Sequence, residues 1–295
     1  MIDLQSHTIA SDGELTPEEL VELAIKKKLS AVAITDHDSV GSLKKAIVYS
    51  KGKKIEIIPG VELSCDDPLF GYEKIDVLGL FIDYNNNKLA DLIAHINDCR
   101  EENKKQIIKK LNGFGYEIDY ESVKKTVGGT FGRPHIAKYL IKKYPGKFSS
   151  VREVFDKLIG RGKKAFVKPG GRVSIADAIM TIKQAKGLSI LAHPGIYPRG
   201  HSLRLIDYFA ANGGDGIETY YPYHIICPEL KIDRNGNEKL IKFYKAIVKS
   251  KNLLESGGND HHDMYRPTLG EIQIPESILE KLKKAAKSRN KSAVK

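Results

Sequence analysis

Seven short apolar runs rich in Val, Ile and Leu, most of them separated by helical patterns, constrain this chain more than any other feature. They read as strands near 2–7, 30–36 (SAVAITD), 55–63 (IEIIPGVEL), 75–83 (IDVLGLFID), 188–193 (LSILAH), 216–221 (GIETYY) and 252–258 (NLLESGG). Continuous apolar runs of this kind suit parallel strands buried on both faces. Caps mark the helices. Thr16-Pro17-Glu18-Glu19 combines a capping box with a first-turn proline, and Ser174 with Asp177 opens a helix that runs to Gly187, directly before a strand. The alternation predicts an α/β fold, and seven strands suit a barrel.

The rhythm breaks between residues 87 and 167, a lysine-rich, mostly helical stretch that holds the glycine cluster VGGTFGRPH at 127–135. We read it as a helical insertion into a barrel domain made of 1–86 and 168–280. The formal charge is +11, but the basic tail 281–295 (KLKKAAKSRNKSAVK) carries seven Lys or Arg and no acid, which leaves +4 for the rest. The excess is thus expected to sit on a frayed terminus and not on a basic body that binds nucleic acid. The three cysteines are odd in number and far apart, which argues against both a disulfide framework and a zinc clip. With no signal-peptide pattern and no apolar run near the ~20 residues of a membrane helix, a cytoplasmic protein without membrane attachment is expected.

Chemistry collects at the strand ends: His7, then Asp36-His37-Asp38, Glu62, His193, and Asp260 with His262. In a parallel barrel the carboxyl ends of the strands converge on one mouth, so residues far apart in sequence meet there. Neutral imidazole and carboxylate are the donors of catalytic Zn, Mn or Fe, and the lack of cysteine among them argues against a structural zinc. The first strand, DLQSHTIASDG, places Gln5 on the same face as His7, with Asp12 following.

The ordered set DLQSHTIASDG, AITDHDSVG, PGVELS, VLGLFID, GRPHIAKYL, ILAHPG, GIETYYP and SGGNDHH resembles the PHP (polymerase and histidinol phosphatase) family of metal-dependent phosphoesterases, from residue 3 to residue 262. The resemblance implies a distorted (β/α)7-type barrel with a small helical insertion and two or three divalent cations at the mouth. It assigns one cation to His7, Glu62 and Asp260, with Gln5 where the family usually has histidine. A second would share Glu62 and use His193 and Asp76, the latter again replacing a usual histidine. A third would take Asp12, His37 and His262. Two imidazoles exchanged for oxygen donors should weaken zinc and favour Mn²⁺ or Mg²⁺, with Fe also within the family's range.

On the substrate side, Arg100 and Asn103 interrupt the apolar stripe of a helix at 89–111, where an anionic ligand could partner them. Arg133 and His135 open the helix after the glycine cluster, a place suited to phosphate. Lys168 and Arg172 read as a solvated loop. His224 and Glu218 lie near the expected mouth, and Tyr220, Tyr221 and Tyr223 there could stack on a base or simply pack the rim. His95, His201 and His261 are expected at the surface or supporting a ligand, and Asp36 and Asp38 to orient His37 or cap a helix. The candidate catalytic groups are Asp12 and His37, with His135 or His224 protonating the leaving group.

These features imply a phosphoesterase acting on a small phosphorylated metabolite, foremost a nucleoside 5′-monophosphate or 3′,5′-bisphosphate. The alternatives are a phosphodiesterase acting on a cyclic sugar phosphate or the 5′ ends of short oligonucleotides, an amidohydrolase-type barrel, and an inactive anion-binding relative. Nucleic acid enters this reading only as a short oligonucleotide substrate, and oligomeric state is not read from the sequence.

Overall fold

The computed structural model describes residues 1–67, 72–127, 131–168, 170–171, 173–265 and 268–292. Arg172, the first glycines of the 127–135 cluster and the last three residues of the basic tail lie outside them. The chain divides into two compact units, 1–92 with 173–295 and, separately, 93–172.

The first unit is built on a seven-stranded sheet in sequence order: β1 (Ile2–Asp3), β2 (Ala31–Ile34), β3 (Glu56–Asp67), β4 (Tyr72–Leu80), β5 (Leu188–Leu191), β6 (Gly216–Tyr220) and β7 (Leu254–Gly257). The segment after β7 pairs back onto the segment after β1. Leu4 N–H donates to the Gly257 carbonyl (3.1 Å), Asp260 N–H to Gln5 (3.1 Å) and His7 N–H to His261 (2.9 Å), which nearly closes the barrel. Asp3 fastens the seam, because its carboxylate accepts from Asn259 N–H and Nδ2 (both 2.9 Å) and from Gly270 N–H (3.0 Å). Gly258 is needed here, since a Cβ would come within 2.2 Å of Gln5 Cβ.

The expectation of an all-parallel sheet fails at β4, which is antiparallel to both β3 and β5. The reason is chain length: four residues separate β3 from β4, too few for the helical crossover that a parallel pair needs. β1 is also shorter than the predicted strand, its pairing resuming only at Ser6 opposite His261.

Around the sheet lie α1 (Pro17–Lys26), with the predicted Thr16–Glu19 capping box, and α2 (Leu43–Tyr49). The insertion contributes α3 (Asn87–Gly113), α4 (Tyr120–Lys124), α5 (Arg133–Lys143) and α6 (Val151–Val154). Then come α7 (Ile175–Gln184), capped by Ser174, α8 (Arg199–Ala211), α9 (Tyr223–Ile226), α10 (Arg234–Lys251) and α11 (Glu276–Ser292). The second unit has its own core of Ile107, Leu111, Val123, Ile136, Leu140 and Leu158.

The described part of the tail is not frayed. Residues 281–292 belong to α11, whose Ile278, Leu279, Leu282 and Ala286 join the core formed by alternate strand residues such as Ala31, Ala33, Leu78, Leu80, Leu188 and Ile190. The apolar spacing of ILEKLKKAA is helical, and charge alone misled the reading. The polar contacts of α11 place it across the amino ends of the strands. Glu276 accepts from the Met1 amino group and from Ser30, and Arg289 reaches the Gly187 carbonyl and Asp215. Leu282→Ala should therefore destabilise the fold by about 2–5 kcal/mol in urea unfolding, whereas the exposed Lys284→Ala should change it by less than about 0.5 kcal/mol.

Candidate metal centre

At the opposite end of the barrel, the segments following β1, β2, β5 and β7, with Glu62 from within β3, deliver imidazoles and carboxylates to one place. Glu62 is central and fully buried. Its Oε2 lies 3.1 Å from His7 Nε2 and 3.7 Å from His37 Nδ1, and its Oε1 lies 3.3 Å from His193 Nε2. Asp260 Oδ1 is 3.0 Å from His7 Nε2, and Asp76 Oδ2 is 3.8 Å from His193 Nε2. Asp12 faces His262 Nε2 at 3.3 Å, His7 Nδ1 at 3.8 Å and His37 Nε2 at 4.0 Å.

The reversed β4 explains how Asp76 arrives. In an antiparallel strand the early residues lie beside the late residues of its neighbours, so Asp76 sits opposite Ser64 and its carbonyl accepts from Ala192 N–H, next to His193. Two of the donors are held in left-handed backbone, His193 at φ 29° and Asp260 at φ 48°. Such conformations are costly for residues with a Cβ and concentrate at functional sites.

The surroundings fix these side chains. Asp36 accepts from Thr8 N–H (2.7 Å), Thr8 Oγ1 (2.8 Å), Ser11 Oγ (2.8 Å) and Ser42 Oγ, tying the loop that carries Asp12 to the end of β2. Gly13 packs where a Cβ would meet the His7 carbonyl at 2.5 Å. Asp38 accepts from Ser64 N–H (3.0 Å). His262 Nδ1 donates to the Asp260 carbonyl (2.9 Å), which leaves Nε2 as the lone-pair nitrogen facing Asp12.

The donor set fits divalent cations. His7 Nε2 stands about a hydrogen-bond length from two carboxylates yet makes a hydrogen bond to neither, and Gln5 Oε1, His193 Nδ1 and Asp260 Oδ1 are also buried without hydrogen bonds. Buried polar atoms of folded proteins are rarely left in this state, and imidazole and carboxylate donors gathered this closely suit a cation. Three groups of donors each lie within 4.8 Å of one another: His7, Asp12, His37 and His262; His7, Glu62 and Asp260; and His37, Glu62 and Asp76.

Gln5 has a definite place in this arrangement. Its Nε2 donates to Glu62 Oε2 (3.1 Å), so the amide orients the central carboxylate while its oxygen remains a neutral donor.

Electrostatics agree with a strongly coupled centre. Burial alone would lower His7, but Asp260 and Glu62 hold it well above the usual imidazole value. His193 is likewise opposed by burial and yet raised to about 9, chiefly by Glu62. Burial would raise Glu62, but His37, His193 and His7 hold it well below the carboxylate range, and Asp260 is lowered mainly by His7 against the same burial.

Glu218, on β6, is a buried carboxyl pushed well up by burial, with Oε2 accepting from His193 N–H (2.8 Å). Tyr221 donates its hydroxyl to Asp260 Oδ2 (2.7 Å), and the Tyr223 hydroxyl accepts from Gly195 N–H (2.9 Å). Both rings are buried, so they pack the rim and support the site and are not platforms for a base. Sequence reasoning missed this use of Tyr221 because its partner lies thirty-nine residues away. His261, expected at the surface or supporting a ligand, is fully buried, and burial lowers it to about 4.

His224 lies on α9 and, among the described residues, makes no hydrogen bond or ion pair with the cluster; its N–H donates to Asn237 Oδ1 (3.3 Å). His95 is exposed, with Nε2 3.8 Å from Cys99 Sγ, and His201 lies on α8.

In the second unit, Asn103 donates both amide hydrogens to backbone carbonyls, Val167 (3.3 Å) and Lys168 (2.8 Å). The partner that a buried Asn103 needs is therefore the chain itself, and its donors are not available to an anion. Arg100 is half-buried on α3, and Arg133 stacks its guanidinium 5.9 Å from the Phe155 ring centre. His135 Nδ1 accepts from Gly132 N–H (3.0 Å), and burial lowers its pKa, so its proton sits on Nε2 at neutral pH.

Comparison with known proteins identifies the family. The model of the PHP domain matches residues 3–185. The chain belongs to the PHP domain family. This is the family of metal-dependent phosphoesterases to which its motifs pointed. The 5′-3′ exoribonuclease Rnm of Escherichia coli is 32% identical over 265 residues, 88% of this chain and 84% of the relative. A 3′,5′-nucleoside bisphosphate phosphatase of Chromobacterium violaceum is 33% identical over 243 residues, 80% of this PHP chain and 83% of that protein. A solved C. violaceum structure, described as an amidohydrolase with bound sulfate and no metal, matches with TM-score 0.75 and 27% identity over 98% of this chain and 96% of its own. The barrel reading holds at the level of the fold.

Two outcomes follow for the centre. Tyr221→Phe removes one support of Asp260 and should weaken Mn²⁺ binding about 10–100-fold in calorimetry with little loss of thermal stability. Because cations take neutral imidazole and His193 is protonated up to about pH 9 in the metal-free protein, affinity should rise from pH 6 toward 9. Calorimetry in buffers of different ionisation enthalpy should report the released protons.

Proposed function

We propose that this PHP phosphoesterase hydrolyses terminal phosphate esters of nucleotides, either a nucleoside 3′,5′-bisphosphate or the 5′ end of a short RNA, with two or three divalent cations bound at the mouth. The observation that carries the reading is the convergence of Glu62 and Asp260 on His7, each with a carboxylate oxygen about 3 Å from His7 Nε2, which is hydrogen-bonded to neither. Relatives named for exoribonuclease and bisphosphate phosphatase activity support the substrate class.

Gln5, His7, Asp12, His37, Glu62, Asp76, His193, Asp260 and His262 are the proposed cation ligands. When bound, the cations acidify water toward neutral pH and neutralise phosphoryl oxygens. The chain's own groups do the rest. Asp12, the most exposed carboxylate of the set, and His37 orient the attacking water at the open side. Glu62, held ionised and fixed by Gln5, keeps the imidazoles in register. Protonation of the leaving oxygen falls to His224 or His135. For Arg100, Arg133 and His135, contact with the anionic part of the substrate is proposed on the family resemblance.

The oxygen donors Gln5 and Asp76 favour Mn²⁺ or Mg²⁺ over zinc. Inorganic phosphate should be released from adenosine 3′,5′-bisphosphate with Mn²⁺ and not with chelator, and Gln5→His should shift the ratio of Zn²⁺- to Mn²⁺-supported turnover toward zinc. No release from folded, Mn²⁺-loaded protein would reject the bisphosphate. Arg133→Ala should raise KM about 10–100-fold, the worth of a charged hydrogen bond, with kcat little changed.

A further inference from the structure

The positive charge of this chain is concentrated in two helices. α10 and α11 together carry twelve Lys or Arg against three Glu, a net +9 of the whole chain's +11. Because α11 is packed into the core, its described basic side chains, up to Arg289, are displayed on a fixed surface. A groove of about 490 Å³ is lined by Lys245, Ala246, Val248 and Lys249 of α10, by Leu253, Leu254 and Glu255, and by Lys281 of α11.

Several basic groups on these helices are already engaged: Lys245 with the Tyr220 hydroxyl and Glu255, Lys283 with Glu56, and Arg289 with Asp215. Among the described residues, Lys249, Lys281, Lys284 and Lys287 pair with no carboxylate. A face that served only solubility would intersperse both signs.

We propose that the groove between α10 and α11 binds the sugar–phosphate backbone of single-stranded RNA. It is lined by ammonium groups of both helices and one carboxylate, near Lys245, a balance of charge that suits a polyanion, with apolar side chains between them. An anionic membrane surface fits less well, because none of the large exposed apolar side chains among the described residues lies on α10 or α11. The groove is lined by Leu254, whereas Asp260 stands at the mouth six residues later, up to roughly 20 Å away at ~3.3 Å per extended residue. A dinucleotide is too short to occupy both places, and a longer strand is not. The inference rests on the RNA arm of the proposed function, while its binding test stands without turnover.

The test uses the full chain. Anisotropy of a long labelled single-stranded RNA is measured in chelator across a salt series, for the wild type and for Lys249→Glu/Lys281→Glu/Lys284→Glu. Phosphate release from adenosine 3′,5′-bisphosphate with Mn²⁺ is measured alongside. The charge-reversed protein should bind RNA at least about tenfold more weakly, and its salt slope should fall by about 2, at ~0.7 per phosphate contact on a single strand. Bisphosphate turnover should be unchanged. The milder Lys249→Gln/Lys281→Gln/Lys284→Gln protein should show the same slope change and decides the matter if the Glu protein folds poorly. Unchanged RNA affinity and slope overturn the proposal, as does wild-type binding to anionic vesicles without binding to RNA. Loss of RNA binding with bisphosphate turnover absent throughout supports the groove and rejects the bisphosphate reading instead.

Discussion

The buried carboxylate of Glu62 is the interaction on which the rest of the mouth depends. It is fully enclosed and meets His7, His37 and His193 while taking a hydrogen bond from Gln5. An ionised carboxylate at such depth is stable only if it is paired and hydrogen-bonded. His7 and His193 cannot serve it best as protonated partners and as cation ligands at once. Binding of a cation and loss of protons are therefore two sides of one equilibrium, and the centre is built to exchange one for the other.

Backbone placement follows from this constraint. A uniform parallel barrel would present only strand ends, but the antiparallel β4 brings Asp76 in from within a strand, beside the left-handed His193. Asp36, Tyr221 and Glu218 then each hold one ligand-bearing segment: the 8–13 loop, Asp260 and the His193 backbone respectively. The far end of the barrel is closed by α11, so the same strands that converge on the mouth are sealed by an apolar helix face and its ion pairs.

Much of this was legible in the sequence. The apolar runs gave all seven strands, and the His and acidic residues at their ends gave most of the cluster, because strand ends in α/β barrels converge by geometry, while Asp76 was marked only by the family resemblance. What the sequence hid depends on partners far apart in the chain. The direction of β4 rests on the short 68–71 connection within what reads as one of many similar runs. The Tyr221 hydroxyl is explained only by Asp260, and Asn103 only by the carbonyls of 167 and 168. The basic tail misled for another reason: its lysines were counted, while the helical spacing of Ile278, Leu279 and Leu282 beneath them carried the structural information.

The most direct test of the account is thermal unfolding of the wild type and Glu62→Gln across a Mn²⁺ titration. The account predicts that the wild type gains stability logarithmically, about 2.7 kcal/mol at a hundredfold excess over the dissociation constant, while Glu62→Gln gains little. An equal response in both proteins, or none in either, would contradict it.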